Sequence, residues 1–386
     1  MRILVVLSRV PWPLEKGDKL RAYHLMREWS KNHKIYLFCL SDNSVHPKAE
    51  SKLNEICERV VIHRLPKIQL LLRLFLGIFN KLPFQVNYFY SSTAKVKFDR
   101  FIDHVIPDHI FCQLARTAEY TKKYTVINKS IDYMDAFSTG MLRMSQKASW
   151  PLSMAMKEEY VRLKNYENII QSEFQARFII SEQDREQLDY VKDLHVVPNG
   201  IDPVFLEGEE VKTKKYDILF TGNMSYRPNV ESAKFLIQDI MPIVWKNHPD
   251  ICVCLCGANP SNQVKSLAGE KVIVTGWVDD ISLVYRSSRI FIAPMIVNTG
   301  LQNKLLEAMA CNIPSITTSL ANNALGSRHD HEILIADTAD ELAKNIVNLL
   351  GSDSLATKIG TNGASYVKAN FTWIKAAQSF ENHFFD

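Results

Sequence analysis

A lysine and a glutamate three residues apart have the chemistry to bind two parts of one nucleotide. They are Lys304 and Glu307 in GLQNKLLEAMACNIPSI, residues 300–316, which follows the predicted strand RIFIAP. Open α/β sheets bind ligands beyond the carboxyl ends of their strands. At a helix start, free amides and the helix dipole favour an anion, and Lys304 adds a positive charge. Glu307, one turn deeper on the same face, would accept hydrogen bonds from ribose hydroxyls.

The residues around this pair support the same interpretation. Gly300 falls in the loop beyond the strand, and Gln302 and Asn303 fall at the helix start, where backbone amides lack partners within the helix. The alternative is an exposed salt bridge between Lys304 and Glu307, which are spaced i to i+3. The chemistry of the residues leaves both interpretations open.

A second glycine-containing loop follows the predicted strand ILFT. Gly222 ends the strand, and Arg227 and Pro228 open the next helix, where proline fits a first helical position. The planar guanidinium of Arg227 has the shape to hold a diphosphate.

A third loop of this kind, SRVPWPLEKGDKLRAYHLM, follows the first strand of the chain. It contains Gly17, Asp18, Lys19 and Arg21. Three basic, glycine-containing loops at strand ends predict a phosphate-bearing ligand in a cleft between two domains.

Short apolar runs alternate with helical patterns along the whole chain, which indicates parallel sheets covered by helices. We therefore predict an α/β fold with two doubly wound domains, at residues 1–205 and 214–370. A final amphipathic helix, about residues 371–386, is expected to pack back on the first domain. The predicted strands are RILVVLS, KIYLFCL, RVVIHRL, HIFCQL, YTVINKSID and RFIISE in the first half, and YDILFTG, ICVCLCG, KVIVTG, RIFIAP and PSITTS in the second.

Composition excludes several classes of protein. A length of 386 residues fits two domains, and a net charge of +4 is too small for a dedicated nucleic-acid binder. The seven cysteines contain no C-x-x-C pair, so we expect reduced thiols in a cytoplasmic protein without a metal site. The opening apolar run is too short for a signal peptide. No G-x-G-x-x-G follows either first strand, which argues against a nicotinamide dehydrogenase.

Several runs together resemble the retaining GT-B glycosyltransferases of family 4, particularly the bacterial branch used in exopolysaccharide assembly. They cover nearly the whole chain in the expected order, and QNKLLEAMA is the most specific of them. The runs are PWPLEKGDKLRAYHL, SEQDREQL, VVPNGID, TGNMSYRPNVES, GWVDD and NTGLQNKLLEAMACNIPSI. The resemblance implies GT-B architecture, with two Rossmann-like domains facing across a cleft.

The resemblance also implies roles for individual residues. Glu307 would bind the ribose of a nucleotide-diphospho-sugar, and Lys304 and Arg227 would act catalytically by neutralising the departing diphosphate. Val278, in the loop from Gly276 to Asp280, would lie along the base. Gly17 would let its loop approach the phosphates. No metal or other cofactor is expected, because basic side chains and helix amides take that role.

Two positions depart from the family pattern. Thr299 stands where most relatives have a glutamate that contacts the donor sugar, so this contact would come from Thr299, Gln302 or backbone amides. Gln113, with Arg116 nearby, stands where many relatives have a histidine. Front-face retaining transfer, as implied for the family, can use the leaving phosphate as the base.

The acceptor is expected on the side of the first domain. The candidate residues are Asp18, Lys19, Arg21, His24, Gln113, Arg116 and Asp135. For Asp135, as for Asp132 and Ser138, the alternative is a capping role after a strand. In SEQDREQL, we predict that Ser181 caps a helix with Asp184 at its third position.

Residues 59–97 contain seven basic and no acidic residues. Within this range, PKIQLLLRLFLGIFNKLPF combines apolar residues with flanking lysine and arginine, a profile typical of a segment in the interface of an anionic membrane. The alternative is a core helix with snorkelling basic residues.

The sequence thus predicts a metal-independent retaining glycosyltransferase. It would use a nucleotide-sugar donor and a glycan or lipid-linked acceptor, would bind no nucleic acid, and would work in the cytoplasm or peripherally on the cytoplasmic face of the membrane. Two alternatives stay open: a nucleotide-sugar epimerase of the same fold, and a catalytically weak scaffold in a glycan-assembly complex.

Overall fold

The computed structural model describes residues 1–208, 211–297 and 301–384, apart from the side chain of Lys147. The chain divides into two compact units. The N-terminal domain comprises Met1–Gly200 and Trp373–Asp386, and the C-terminal domain comprises Ile201–Thr372.

The N-terminal domain contains a parallel sheet with strand order β3-β2-β1-β4-β5-β6-β7. Its central strands are apolar on both faces because helices cover both faces, and every residue from Ile3 to Leu7 is buried. The strands are β1 Arg2–Leu7, β2 Lys34–Ser41, β3 Arg59–Arg64, β4 His109–Gln113, β5 Asn128–Asp132, β6 Ala176–Ile179 and β7 Leu194–Val196. The helices are α1 Gly17–Trp29, α2 Ala49–Asn54, α3 Lys67–Gly77, α4 Phe84–Phe89, α5 Ser92–Val105, α6 Ala118–Thr121, α7 Phe137–Lys147, α8 Leu152–Ile170 and α9 Glu182–Gln187.

The C-terminal domain repeats this plan, with strand order β10-β9-β8-β11-β12-β13, also parallel. Its strands are β8 Tyr216–Thr221, β9 Val253–Cys256, β10 Val272–Gly276, β11 Ser288–Ala293, β12 Ser315–Thr317 and β13 Leu334–Ile335. Its helices are α10 Pro203–Leu206, α11 Arg227–Phe235, α12 Met241–Asn247, α13 Asn262–Lys265, α14 Ile281–Arg286, α15 Asn303–Ala310, α16 Ser319–Leu325, α17 Ala339–Gly351 and α18 Asp353–Asn370.

The last helix, α19 Trp373–Glu381, belongs to the N-terminal domain. Trp373 stacks on His24 with ring centroids 4.7 Å apart. Phe380 is fully buried and packs against Phe178, with ring centroids 4.1 Å apart. Helix α19 therefore supplies part of the hydrophobic core of the N-terminal domain, whose other residues come from the first 200 residues of the chain.

The predicted fold class is confirmed: the structure has two Rossmann-like domains, each built on a parallel sheet. All eleven predicted strands are present. The sequence interpretation missed β7 and β13, which have three and two residues and lie at sheet edges. Within the described ranges, none of the helices combines the length and the apolarity needed to cross a membrane.

Candidate functional site

The candidate site lies where strand order reverses in the C-terminal domain. Strands β8 and β11 are neighbours there, and their connections lead in opposite directions along the sheet. This is the position at which open α/β sheets bind ligands. A cavity of about 520 Å³ lies at this edge, and its lining includes Gly222, Asn229, Val278, Gln302, Lys304 and Glu307.

The Lys304 amine is held by Asn229 of helix α11, which follows the neighbouring strand β8. Its Nζ donates a hydrogen bond to Asn229 Oδ1 at 2.5 Å and lies 4.7 Å from the centroid of the Phe220 ring. Burial lowers the pKa of Lys304 to about 7, and the Glu307 carboxylate opposes this shift. A diphosphate would supply the negative charge that this desolvated amine favours.

The Glu307 carboxylate is fixed by a tyrosine. Tyr285 is fully buried and donates a hydrogen bond to Glu307 Oε2 at 2.8 Å, and its hydroxyl also lies 2.5 Å from Thr221 Oγ1. Burial raises the pKa of Glu307, and the Tyr285 hydrogen bond and the Lys304 charge oppose that rise. Lys304 is hydrogen-bonded to Asn229, and Glu307 is hydrogen-bonded to Tyr285. The two residues therefore do not form the exposed salt bridge with each other that the sequence left open.

Two glycines allow these elements to approach closely. Gly222 has φ +153°, and a Cβ there would lie 2.6 Å from Asn229 Nδ2 and 3.1 Å from Lys304 Nζ. A Cβ on Gly257, which has φ +145°, would lie 1.8 Å from the Gly222 carbonyl oxygen. A side chain at either position would displace the groups that hold Lys304.

The structure brings most of the predicted donor residues together. Gln302 precedes helix α15 as its N-cap residue, and Asn303 opens the helix. Both line the cavity with Val278. Thr299 and Gly300 lie outside the described residues.

Arg227 occupies the first position of helix α11 and is exposed. Its neighbours Tyr226 and Asn229 line the cavity, whereas Arg227 is not part of that lining in the described structure. Its role at the diphosphate therefore stays a prediction.

Two predicted acceptor residues are interior in this structure. Arg21 has no exposed surface, and its guanidinium donates to Asp132 at 2.6 Å and to Asn199 at 2.8 Å. His24 is buried against Trp373. Their acceptor-side role stays an untested prediction, while the contacts give both side chains a role in packing.

The residues after β1 are more open. Asp18 accepts a hydrogen bond from Arg9 at 2.8 Å, and Lys19 and Arg9 line a cavity of about 600 Å³ at this end of the N-terminal sheet. At Gly17, a Cβ would meet no atom within 4 Å, so the fold itself does not require glycine there.

Gln113 is buried at the end of β4, and Arg116 follows it. The Arg116 guanidinium makes cation–π contacts with the rings of Phe89 and Phe137, at 5.2 and 5.0 Å from their centroids, and burial lowers its pKa to about 10. Burial, together with the nearby Asp184 carboxylate, raises the pKa of Asp135 to about 6.

The prediction for SEQDREQL is confirmed. Ser181 caps helix α9 by accepting a hydrogen bond from the Asp184 backbone amide at 3.1 Å. Asp184 also accepts a hydrogen bond from the Ser181 hydroxyl at 2.5 Å. This carboxylate therefore stabilises a helix start.

The predicted strand ICVCLCG contains three cysteines, and the structure keeps two of them in the strand and leaves Cys252 partly exposed before it. Cys254 and Cys256 are buried in β9. Across the part of the chain that the structure describes, no three His, Cys, Asp or Glu side chains are grouped as metal ligands.

Sequence reasoning missed Asn229 and Tyr285, the residues that hold Lys304 and Glu307. Asn229 is in the quoted run RPNVES, but only its contact with Lys304 gives it a role. Tyr285 is 22 residues from Glu307 in sequence, and no local pattern links the two.

Comparison with known proteins gives an independent view of this site. Residues 215–352 match the family model described as "Glycosyl transferases group 1". Over 390 aligned residues, the chain is 22% identical to an uncharacterized 44.6 kDa protein in the cps region of Klebsiella pneumoniae, covering 96% of each chain.

Solved structures share the two-domain fold. A glycosyltransferase from Rickettsia africae matches with a TM-score of 0.69 and 16% identity, covering 99% of this chain and 97% of the other. Anabaena HepE in complex with UDP matches with a TM-score of 0.68 and 12% identity, covering 99% of both chains. The fold is that of the GT-B glycosyltransferases. The family match supports glycosyltransferase activity.

Proposed function

We propose that this protein transfers a sugar from a nucleotide-diphospho-sugar to a glycan or lipid-linked acceptor, with retention of anomeric configuration and without a metal ion. The observation that carries this proposal is that Lys304 and Glu307 line one cavity at the β8–β11 edge while each is held by a different partner, Lys304 by Asn229 and Glu307 by Tyr285. One supplies a cation for the diphosphate, and the other supplies acceptor oxygens for the ribose.

Donor binding begins at helix α15. Tyr285 engages Oε2 of Glu307, so Oε1 serves a ribose hydroxyl and orients the nucleoside. The amides at the start of α15 and the Lys304 amine then face the diphosphate. Val278 lines the same cavity and would border the base.

Transfer breaks the bond between the sugar C1 and the diphosphate oxygen, and the acceptor oxygen forms a new bond to C1 on the same face. The acceptor proton passes to the departing phosphate oxygen, so nucleoside diphosphate is the second product. Lys304 stabilises the charge that develops on this leaving group, the kind of electrostatic stabilisation that dominates many enzymatic rate enhancements.

Two comparisons support the donor and pathway class. The match to HepE in complex with UDP supports a nucleotide diphosphate as the ligand of the C-terminal domain. The Klebsiella relative, described as lying in a cps region, supports a role in polysaccharide assembly. The family 4 assignment and the retaining course extend the sequence resemblance and belong to the proposal.

The first experiment measures thermal stabilisation by a panel of nucleoside diphosphates and their sugars, with and without a chelator. A ligand that binds only the folded state raises the unfolding midpoint. We expect one base to stabilise the protein with or without chelator, and Glu307→Ala to abolish that effect. The stabilising donor is then supplied with candidate acceptors, and NMR of the product gives its anomeric configuration.

Other outcomes would identify other functions. Release of free epimerised sugar without an acceptor would identify an epimerase. Donor binding without hydrolysis or transfer would identify a scaffold, and stabilisation by none of the nucleotides would contradict the proposed donor site. Arg227→Ala tests the remaining catalytic prediction, with an expected fall in turnover of at least about a hundredfold.

A further inference from the structure

Helix α3 turns its apolar stripe toward solvent. Residues at positions i, i+3, i+4, i+7, i+8 and i+11 form one face of a helix and its continuation. Here those residues are Ile68, Leu71, Leu72, Phe75, Leu76 and Phe79, with exposures of 80, 68, 55, 59, 46 and 75%.

This arrangement is the reverse of a surface helix in an ordinary soluble domain, which buries its apolar face. In α3, only Leu70 and Gly77 are buried. The alternative of a core helix with snorkelling basic residues is therefore wrong. Exposed apolar surfaces of this extent mark interaction sites.

A neighbouring helix extends the apolar surface. Arg162 of α8 donates to the Gly77 carbonyl at 2.6 Å and to the Leu82 carbonyl at 3.2 Å, which fixes α8 against the end of α3. Exposed Met154 and Val161 line a shallow groove with Phe84.

Charge identifies the partner of this surface. Residues 59–97 contain no acidic residue, and their basic residues are Arg59, Arg64, Lys67, Arg73, Lys81, Lys95 and Lys97. Arg64, Lys67 and Lys81 are exposed, the first two just before the apolar stripe in sequence and the third just after it. On α8, Glu158 is neutralised by Arg162 at 2.6 Å. An apolar stripe between exposed cations complements a bilayer with anionic headgroups.

We propose that helix α3, continued by Ile78 and Phe79, lies in the interface of an anionic membrane. The apolar stripe inserts at the boundary between headgroups and acyl chains, and the flanking lysines and arginine contact lipid phosphates. This inference goes beyond the proposed transfer reaction, since membrane binding is measured without nucleotide sugar or acceptor.

The test is co-sedimentation of the full chain with vesicles of phosphatidylcholine, alone or containing phosphatidylglycerol. We expect binding to the anionic vesicles at low salt, weakened at about 0.5 M salt, where exposed charges are screened. Combined Leu71→Ser and Phe75→Ser should reduce binding at least about tenfold, because both side chains insert. Both are mostly exposed, so the variant should retain the wild-type unfolding midpoint.

Matched controls separate this surface from general effects of substitution. Val126→Ser replaces an apolar side chain that is 96% exposed elsewhere in the same domain and should leave binding unchanged. The double variant Lys67→Glu, Lys81→Glu should abolish vesicle binding. The double variant Lys265→Glu, Lys344→Glu makes the same change in net charge at exposed positions in the C-terminal domain, and it should largely preserve vesicle binding.

Three results would overturn the proposal. The first is that the wild-type protein fails to sediment with anionic vesicles. The second is that the Leu71→Ser, Phe75→Ser variant binds them as well as the wild type. The third is that the wild type binds no vesicles but self-associates with rising concentration, and the Leu71→Ser, Phe75→Ser variant does not self-associate. The last result would assign the surface to a second copy of the chain. Nucleotide stabilisation should be unaffected in the α3 variants, so failure here is distinguishable from failure of the proposed donor site.

Discussion

Asn229 accepts a hydrogen bond from the Lys304 amine at 2.5 Å, although the two residues lie on helices that follow different strands. Asn229 Nδ2 in turn donates to the Asn223 carbonyl at 2.9 Å, which orients the amide with its oxygen toward Lys304. The amine is thereby positioned before any ligand arrives. Such preorganisation reduces the reorganisation required during catalysis.

Removing this amine should slow transfer strongly. We expect Lys304→Ala to lower turnover at least about a hundredfold, equivalent to about 2.7 kcal/mol on the barrier, because the leaving diphosphate loses its fixed cation. Lys265→Ala removes an exposed lysine of the same domain and should have no effect. Turnover is measured as nucleoside diphosphate released in the presence of acceptor, and near-wild-type turnover in Lys304→Ala would contradict the site assignment.

Donor affinity should depend on pH through Lys304. Burial lowers its pKa from 10.5 to about 7, so the charged form that attracts the diphosphate is lost as pH rises above neutrality. Binding at higher pH must then take up a proton at Lys304. Between pH about 7 and 8.5 the Kd of a nucleotide-sugar should rise roughly tenfold.

Calorimetric titration with the intact nucleotide-sugar checks this dependence, because its diphosphate does not titrate in that range. Lys304→Met should bind more weakly, with a Kd that is nearly independent of pH. The same pH dependence in wild type and variant would assign the titration to another group.

The Tyr285 hydroxyl should contribute to donor binding through Glu307. Tyr285→Phe removes the hydrogen bond to Oε2, so we expect the donor Kd to rise about fivefold, corresponding to about 1 kcal/mol for one hydrogen bond. Tyr366→Phe provides the control, because that hydroxyl donates to the Leu325 carbonyl at 2.7 Å in the same domain. Isothermal titration should show an effect only for Tyr285→Phe.

Gly222 should not tolerate a side chain. In Gly222→Ala the new methyl group would collide with Asn229 Nδ2 at 2.6 Å and crowd Lys304 Nζ at 3.1 Å, and we expect loss of nucleotide-induced thermal stabilisation. At Gly351 a Cβ would meet no atom within 4 Å, so Gly351→Ala should behave as wild type. Full stabilisation of Gly222→Ala by nucleotide would show that this contact does not position the donor site.

The buried Arg21–Asp132 pair should be important for stability. Both side chains have no exposed surface, so Asp132→Ala leaves a buried guanidinium without its carboxylate partner, although Asn199 still accepts one hydrogen bond. This should cost about 3–5 kcal/mol of the free energy of unfolding. Glu55→Ala breaks an exposed pair with Lys52 and should leave that free energy nearly unchanged. Urea denaturation of the full chain measures both, and equal stability of the two variants would contradict this role for the pair.

Residue patterns were sufficient to predict the fold class, because buried parallel strands form continuous apolar runs such as ILVVL. The exceptions were β7 and β13, whose few residues at a sheet edge bury too little to leave such a pattern. For the site, the order of strand, loop and helix predicted that Lys304 and Glu307 lie at the sheet edge, and in the structure both line the cavity there. Asn229 and Tyr285 could not be found this way, since their roles depend on contacts across the fold.

For the residues predicted on the acceptor side, the sequence did not indicate which side chains are buried. Arg21 and His24 lie on α1 near basic, glycine-containing sequence, and residue type alone does not distinguish a ligand contact from an interior one. Their burial depends on Asp132, Asn199 and Trp373, which are distant in sequence. In α3, composition indicated an apolar segment flanked by cations, but the direction in which its apolar side chains point was set by the tertiary structure.

Because helix α19 completes the core of the N-terminal domain, the order of synthesis and the order of folding differ along this chain. The C-terminal domain is continuous in sequence, from Ile201 to Thr372. Trp373 and Phe380, by contrast, follow the whole C-terminal domain in sequence and leave the ribosome after it, and the first domain has no complete core until they do. Of these two domains, the N-terminal one is therefore completed after the C-terminal one has been translated, the reverse of the usual N-terminal-first order.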